Sequence, residues 1–439
     1  MNKFTFNVRT FVVLFLCLLW SNQAYSQSGS WLDQGNYDIS WFDESKSTFY
    51  ISTAKQLAGV AYLSNSQNNT FSDKSIILQT DIDLSKHYWK AIKTFSGVLD
   101  GKGHTIDFIM AKADKENESV SFLNLLERGK ILNLTIGENC NIQNEYTGMF
   151  PPMTSFVFTM REQSVIDNCV NKANIYTVGA YVAPFCGYIY ETCTISNCDN
   201  YGDIYAEKGN AFGIVAYGER VYSYVEQGNI LNCNNYGTIS ASGTAAGIAG
   251  GCYGIIKKCS NYGALKNIEN KERQGSCYGI TGGIEGEISD CKNTVSFSSK
   301  GSAAGIAGGV SGIMTRCNNS GNIKADYNAG GIVGLLVNQV TISDCYNTGN
   351  IEGGTYAGGI VGEVSTSFSC PVIVSCVNKG KITTEQGQAA GIVGHGDYYT
   401  YIDKCVNLGE VKGAASVKDI IYQYYTVSTI ASGIANGSN

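Results

Sequence analysis

Between Val165 and Lys412 apolar and polar positions alternate in short bursts, and the bursts recur. The clearest runs Ile342-Ser343-Asp344-Cys345-Tyr346-Asn347-Thr348-Gly349-Asn350-Ile351. Cys345, Asn347, Gly349 and Ile351 share one parity, and Tyr346, Thr348 and Asn350 share the other. That is the period of a strand with one buried face. The phrase is written nine times, about Cys169, Cys198, Cys233, Cys259, Cys291, Cys317, Cys345, Cys376 and Cys405, at separations of 29, 35, 26, 32, 26, 28, 31 and 29 residues. Such a period marks a stacked repeat, in which each unit buries its apolar side only against its neighbours.

A second phrase follows most of these cysteines by about 15 residues: Gly247-Ile248-Ala249-Gly250, Gly305-Ile306-Ala307-Gly308, Gly331-Ile332-Val333-Gly334, Gly359-Ile360-Val361-Gly362 and Gly391-Ile392-Val393-Gly394. Two short strands per period in constant order predict one turn of a parallel β-solenoid with a third side of variable structure. Helical repeats are excluded, because glycine at this density costs a helix heavily. Asparagine at an inward parity predicts a ladder from Asn171 to Asn407, each amide bonding the backbone of neighbouring coils at a corner. Glycine two residues on supplies freedom there, with Ala173 and Val295 the exceptions. Upstream, Thr53-Ala54-Lys55-Gln56 reads as a capping box opening an amphipathic helix with Leu57, Val60 and Ala61 on one face, a natural cover for the first rung. Ile76 to Leu84 reads as a strand, and Phe95 to Ile106 as strand, turn, strand.

Composition narrows the setting. Lys3 and Arg9, the apolar run Phe11 to Trp20 and Ala24-Tyr25-Ser26 form the three parts of a secretory signal peptide over residues 1–26. The expected location is therefore outside the cytoplasm, extracellular or at the cell surface, with the periplasm as an alternative. No apolar run is long enough to span a membrane. Loss of Lys3 and Arg9 takes the net charge from −6 to −8. An acidic, unpatterned surface argues against nucleic acid and anionic membranes as partners. Export together with 16 cysteines invites a disulfide reading. Yet nine of them occupy one repeat position, where stacked Cβ vectors run parallel in poor geometry for bridging. Those nine are expected to act as small buried hydrophobes. Any bridges are expected among Cys140, Cys186, Cys193, Cys252, Cys277 and Cys370.

The alternating Gly-Ile-x-Gly and Cys-x-Asn-x-Gly phrases resemble the GLUG-motif repeat family of secreted bacterial proteins. Ile51-Ser52-Thr53-Ala54-Lys55-Gln56-Leu57-Ala58, Asp81-Ile82-Asp83-Leu84 and the Phe95–Ile106 segment resemble what precedes such repeats. The resemblance covers roughly residues 50–412 and implies a right-handed parallel β-helix, here all-β, of about ten rungs with an N-terminal helical cap. It divides the chain into the signal peptide (1–26), a cap with the first strands (27–140), the repeat β-helix (141–413) and a C-terminal cap or tail (414–439). Family members include adhesin-like proteins, and related repeats accompany immunoglobulin A-cleaving metallopeptidases. This chain has no His-Glu-x-x-His, so that peptidase chemistry is not carried over.

Little else in the chain points to catalysis. His87, His104 and His395 lie far apart, with no Cys or carboxylate at zinc-site spacing from any pair; no metal and no cofactor are expected. His104, four residues after Asp100, reads as a corner residue bonding local backbone. Asp81 and Asp83 share a strand face, where paired carboxylates hold calcium or cleave glycans, but they lie in the cap region. Asp167, Asp290, Asp344 and Asp403 fall at outward or corner positions and read as solvated surface.

Tyrosine is the remaining signal. Longer segments follow the Gly-Ile-x-Gly phrase at Tyr188 to Cys193, Tyr217 to Gln227, Glu363 to Pro371 and His395 to Tyr401, and a shared repeat position puts them on one side. Tyr188, Tyr190, Tyr217, Tyr222 and Tyr224 are expected to form one aromatic patch, with Tyr398, Tyr399 and Tyr401 about 29 Å further along at the rung spacing. A tyrosine's flat apolar face and polar tip suit a sugar or a protein contact. The leading expectation is a non-catalytic binding protein of adhesin type whose partner is a glycan or a host or cell-surface protein. A polysaccharide lyase or glycoside hydrolase on a β-helix stands second, and a structural spacer or assembly component third. Ile420 to Thr426 is β-prone and either caps the solenoid or pairs with another chain.

Overall fold

The computed structural model describes residues 29–113, 119–145, 152–179, 181–190, 192–217, 228–268, 274–365, 370–396, 400–413 and 416–418. These residues wind into a parallel β-solenoid. One turn is represented by strands Val340–Ser343, Tyr346–Asn347, Ile351–Gly353, Tyr356–Gly358 and Val361–Val364. Each pairs in parallel, in register, with its counterparts above and below: Tyr346 lies between Asn318 and Val377, and Ile351 between Ile323 and Ile382. The column through the repeat asparagines stacks 12 strands, from Ile82–Asp83 to Val406–Asn407, so the molecule has about eleven turns rather than ten.

The inward parity holds as the alternation predicts. Along 345–351 Cys345, Asn347, Gly349 and Ile351 are buried, while Thr348 and Asn350 are exposed and Tyr346 half-buried. The asparagines form an unbroken ladder: each Nδ2 donates to the Oδ1 one turn on, at 2.7–3.2 Å, through eight bonds from Asn171 to Asn407. In every ladder asparagine but Asn261 the amide also donates to the carbonyl two residues ahead, as from Asn347 to Gly349 at 2.9 Å. The Ser155 hydroxyl donates to Asn171 Oδ1 at 2.7 Å and closes the ladder's lower end. The row of buried amides is thus bonded from end to end, which is what polar groups inside a core require.

The ladder also explains the first glycine of the Gly-Ile-x-Gly phrase. A Cβ on Gly331 would lie 2.0 Å from the Gly359 carbonyl oxygen and 2.6 Å from Asn347 Cγ; Gly247, Gly279, Gly305 and Gly359 meet Asn261, Asn293, Asn319 and Asn378 the same way. The two phrases, separate in sequence, are two sides of one contact.

The nine repeat cysteines are buried free thiols. Each of the first eight donates to the carbonyl two residues before it, as Cys345 does to Ser343 at 3.3 Å. Burial pushes Cys198, Cys233 and Cys291 well above the ordinary thiol range. The six remaining cysteines are also free; Cys370 is exposed and the rest buried, so no bridge forms among them. Immediately before each repeat cysteine the chain turns through a single left-handed residue, with φ of 52–56°: Asn168, Asn197, Asn232, Lys258, Asp290, Arg316, Asp344, Ser375 and Lys404. No glycine serves this corner. Adjacent corner residues pair instead, as in the bidentate Arg316–Asp290 bridge at 2.7 and 3.0 Å.

At the N-terminus, strand β1 (Thr48–Ile51) begins the stack, before helix α1 (Ala54–Gln67), and pairs with β2 (Ser75–Leu78). The helix thus follows the first strand in the chain and still serves as the expected N-terminal cap. It covers the free edge of a later strand: β3 (Ile82–Asp83) follows, then β4 (Ile92–Phe95), the last strand of its sheet. Ser64 Oγ donates to the Thr94 carbonyl at 2.8 Å and accepts from its N–H, and Asn65 Nδ2 reaches the Ala91 carbonyl. A helix thus satisfies an edge that would otherwise expose unpaired backbone. Thr53 caps it, accepting from Gln56 N–H, but the returning Gln56 side chain accepts from Ser52 N–H, one residue earlier than a capping box places it. Leu57, Val60 and Ala61 are buried, as expected. Ile76 to Leu84 is two strands, β2 and β3, because the chain bends at Gln79–Asp81 to change column.

Candidate functional site

The even parity of the repeat faces solvent and composes one long face. Three outward positions in each turn, at one, three and five residues after the ladder asparagine, run in columns along the solenoid. In the turns of Asn200, Asn235 and Asn261 they are Tyr201, Asp203, Tyr205; Tyr236, Thr238, Ser240; and Tyr262, Ala264, Lys266. Tyr201, Tyr236 and Tyr262 are 51%, 40% and 42% exposed. Their rings are nearly parallel, with centroids 4.7 and 5.2 Å apart and interplanar angles of 6° and 12°. Rings in contact lie about 3.5 Å apart face to face, so these are slipped like shingles, and each leaves part of its face and its hydroxyl edge open. Burial, then Asp199, then the two flanking tyrosines raise the Tyr236 hydroxyl above its ordinary range. It stays protonated, a donor as well as an acceptor.

A second, deeper stack stands across the middle column: Tyr176 over Tyr205 at 5.3 Å and 16°. Tyr176 donates to Glu207 at 2.8 Å, and burial followed by Glu207 raises its hydroxyl. Between the two stacks the middle column is tied to the backbone of the next turn: Asn174 accepts from Asp203 N–H at 2.8 Å, and Asp203 from Thr238 N–H at 2.7 Å. The same device recurs higher, from Ser296 to Asn322, Asn350 and Lys381. Two shallow hollows open on this face, one near each end: about 600 Å³ beside Tyr88, Lys112, Asn141 and Gln143, and about 670 Å³ beside Ser298, Asn322, Lys324, Asn350, Glu352 and Lys381. In the upper hollow Lys324 pairs with Glu352, and Lys381 with Glu410 at 3.4 Å.

The tyrosines singled out from the insertions fare differently. The shared column is real: Val215, Ala249, Thr281, Ala307, Val333, Val361 and Val393 are in register, and each insertion leaves just after it. Tyr188 and Tyr217 are register neighbours there; Tyr188 is half-buried beside Phe158, and Tyr217 is exposed. Tyr190 is buried, 8% exposed, with the Arg161 guanidinium 5.2 Å over its ring, so it is a packing residue and not a ligand contact. Tyr401 is exposed, but it lies on Tyr401–Asp403, beyond the insertion and in a different column from Tyr217. Tyr222, Tyr224, Tyr398 and Tyr399 lie outside the described residues. The Tyr201 stack lies in the repeat itself and not in the insertions. The readable signal is Asn-Tyr-Gly in three successive copies.

The titratable candidates are structural. Asp81 accepts from Thr105 N–H at 2.8 Å, and its Oδ1 lies 3.4 Å from His104 Nδ1; Asp83 accepts from Ser85 N–H. His395 stacks on Tyr356 at 4.4 Å and bonds Gln388. Among the described residues no three His, Cys, Asp or Glu side chains gather as metal ligands, and no helix is long and apolar enough to cross a membrane.

No family model matches the chain, and no curated protein matches it. Among solved structures it is similar to the crystal structure of a putative immunoglobulin A1 protease from Bacteroides ovatus. That match is 16% identical over 86% of this chain and 84% of the other, with a TM-score of 0.22. So loose a superposition carries no argument; the fold rests on the strand pairing described above.

Proposed function

We propose that this β-solenoid is an exported, non-catalytic binding protein of adhesin type, akin to the GLUG-repeat proteins its phrases resemble, and that its ligand is a glycan. The observation that carries this reading is the exposed Tyr201–Tyr236–Tyr262 stack. Three large apolar rings held open to water on a rigid scaffold are unfavourable for solubility alone, and an aromatic face with a hydroxyl rim is the surface that sugars recognise. Rigid strands below the rings mean that little order is lost on binding.

A glycan array probed with the protein lacking residues 1–26, with reducing-end release monitored on every glycan retained, tests the reading. Retention without release, abolished by Tyr201→Ala/Tyr236→Ala/Tyr262→Ala, is the expected result. New reducing ends would replace it with the glycan-cleaving alternative, and an empty array would remove glycan as the ligand.

A further inference from the structure

We infer that the ligand is a neutral, linear β-1,4-linked polysaccharide lying parallel to the solenoid axis, one sugar per turn, across Tyr201, Tyr236 and Tyr262; this rests on the glycan reading above. The argument is one of matched repeats. The rings recur every 4.7–5.2 Å along the axis, because parallel strands fix that spacing. One sugar of an extended β-1,4-linked chain spans close to the same length. A chain laid along the axis therefore meets one tyrosine per sugar, and because successive sugars are turned over, the rings meet alternate faces of the sugars. Chains that coil, such as α-1,4-linked glucans, lose the match after one contact. A ligand laid across the axis meets two aromatics at most, Tyr201 and Tyr205 in the first of these turns, and one in each of the other two.

Charge sets the class. The nine outward positions of the three tyrosine turns carry one acid, Asp203, and one base, Lys266. The Asp203 carboxylate is already engaged with Thr238 N–H. With Asp199 also close to Tyr236, the track leans acidic and offers nothing to repay desolvation of a uronate or a sulfate. The tyrosine hydroxyls along the stack instead supply uncharged donors and acceptors. Below Tyr201 the column continues with Lys172 and above Tyr262 with Thr294, so the aromatic track is three sugars long.

The test is calorimetric titration with cello-oligosaccharides of increasing length, with malto-oligosaccharides and oligogalacturonates of the same lengths alongside. Affinity is expected to rise about fivefold per sugar up to the third and then level off, with no such rise in the other two series. Tyr236→Ala, which interrupts the track, should return the trimer to the affinity of a single sugar. Thr294→Tyr should extend the rise to a fourth sugar. Far-UV circular dichroism and the thermal transition confirm that both variants are folded. If the array retains glycans but the cello series is flat with length, or Thr294→Tyr leaves the plateau at three, the axial register is wrong and the glycan reading survives. If the array retains nothing, both fall.

Discussion

Asn235 and Tyr236 are adjacent in the chain and opposite in constraint. Asn235 is one of nine identical residues in a buried row, each bonded to the next; Tyr236 belongs to an outer row that reads Lys172, Tyr201, Tyr236, Tyr262, Thr294, Ser320, Thr348, Lys379 and Leu408. Inside, every turn must repeat because each side chain is its neighbour's partner. Outside, the scaffold fixes position and spacing but leaves identity open. Variation from turn to turn on a row that the backbone does not constrain is where a ligand surface is to be sought, and three consecutive tyrosines stand out there.

The largest expected effect comes from perturbing all inner rows together. Burial pushes the Cys252 and Cys277 thiols up to about 12 from the ordinary value of 9.0. A group whose pKa is raised in the folded state stabilises fully below its unfolded pKa and loses that contribution as pH rises toward the folded one. Stability should thus be level through neutral pH, fall from about pH 9 and be lost by about pH 12. Circular dichroism at a fixed urea concentration across that range checks it; a profile flat to pH 12 would show that the thiols are not buried as described. In thiol titration of the native protein at neutral pH, Cys370 should react first, and Cys140 and the repeat cysteines only on unfolding.

Breaking one inner link is next. Asn319→Leu removes the acceptor of Asn293 Nδ2 and the donor to both Asn347 Oδ1 and the Gly321 carbonyl. It should cost about 3–5 kcal/mol by urea unfolding, since unsatisfied buried groups cost about 1–3 kcal/mol each. Tyr262→Ala, next to the same ladder but outside it, should cost under about 1 kcal/mol.

Two glycines sharpen the contrast. Gly331→Ala drives a Cβ into Asn347 and the Gly359 carbonyl and is expected to cost about 3 kcal/mol. At Gly309 the nearest atom to a new Cβ is the Leu335 carbonyl oxygen at 3.7 Å. Gly309→Ala should therefore change stability by less than about 1 kcal/mol, in the stabilising direction. Equal losses at both positions would mean that the ladder does not dictate where glycine is required.

The smallest effect lies at the corners. Lys404 adopts φ 52° with its side chain largely in water. A left-handed conformation costs a side-chain-bearing residue about 1 kcal/mol, so Lys404→Gly should stabilise by somewhat less, because glycine also loosens the unfolded chain. A destabilised variant would point to a contact of the lysine that outweighs its backbone strain.

Much of this was legible in advance. Period-two alternation identified the inner rows, nine cysteines at one position identified a stack rather than bridges, and Thr53 announced its helix. Three things were not. Which edge the helix caps is one: that of β4, which lies 25 residues beyond Gln67 in the chain. Tyr190 is shielded by Arg161 from the turn below, a contact no local pattern announces. The corner residues bear no common chemistry, from Asn to Lys to Arg, so their shared left-handed backbone is invisible in composition.

Which positions face inward was determined by the sequence itself, because strand parity is local and a one-residue slip would bury every polar side chain of a turn. The spacing of the repeats likewise dictated that those turns stack. Which outward residues become neighbours was decided only by the tertiary structure. Tyr201, Tyr236 and Tyr262 are 35 and 26 residues apart in the chain, and turns of unequal length bring them within 5.2 Å. The ladder of asparagines inside, not the length of chain between, holds the register that makes them a surface.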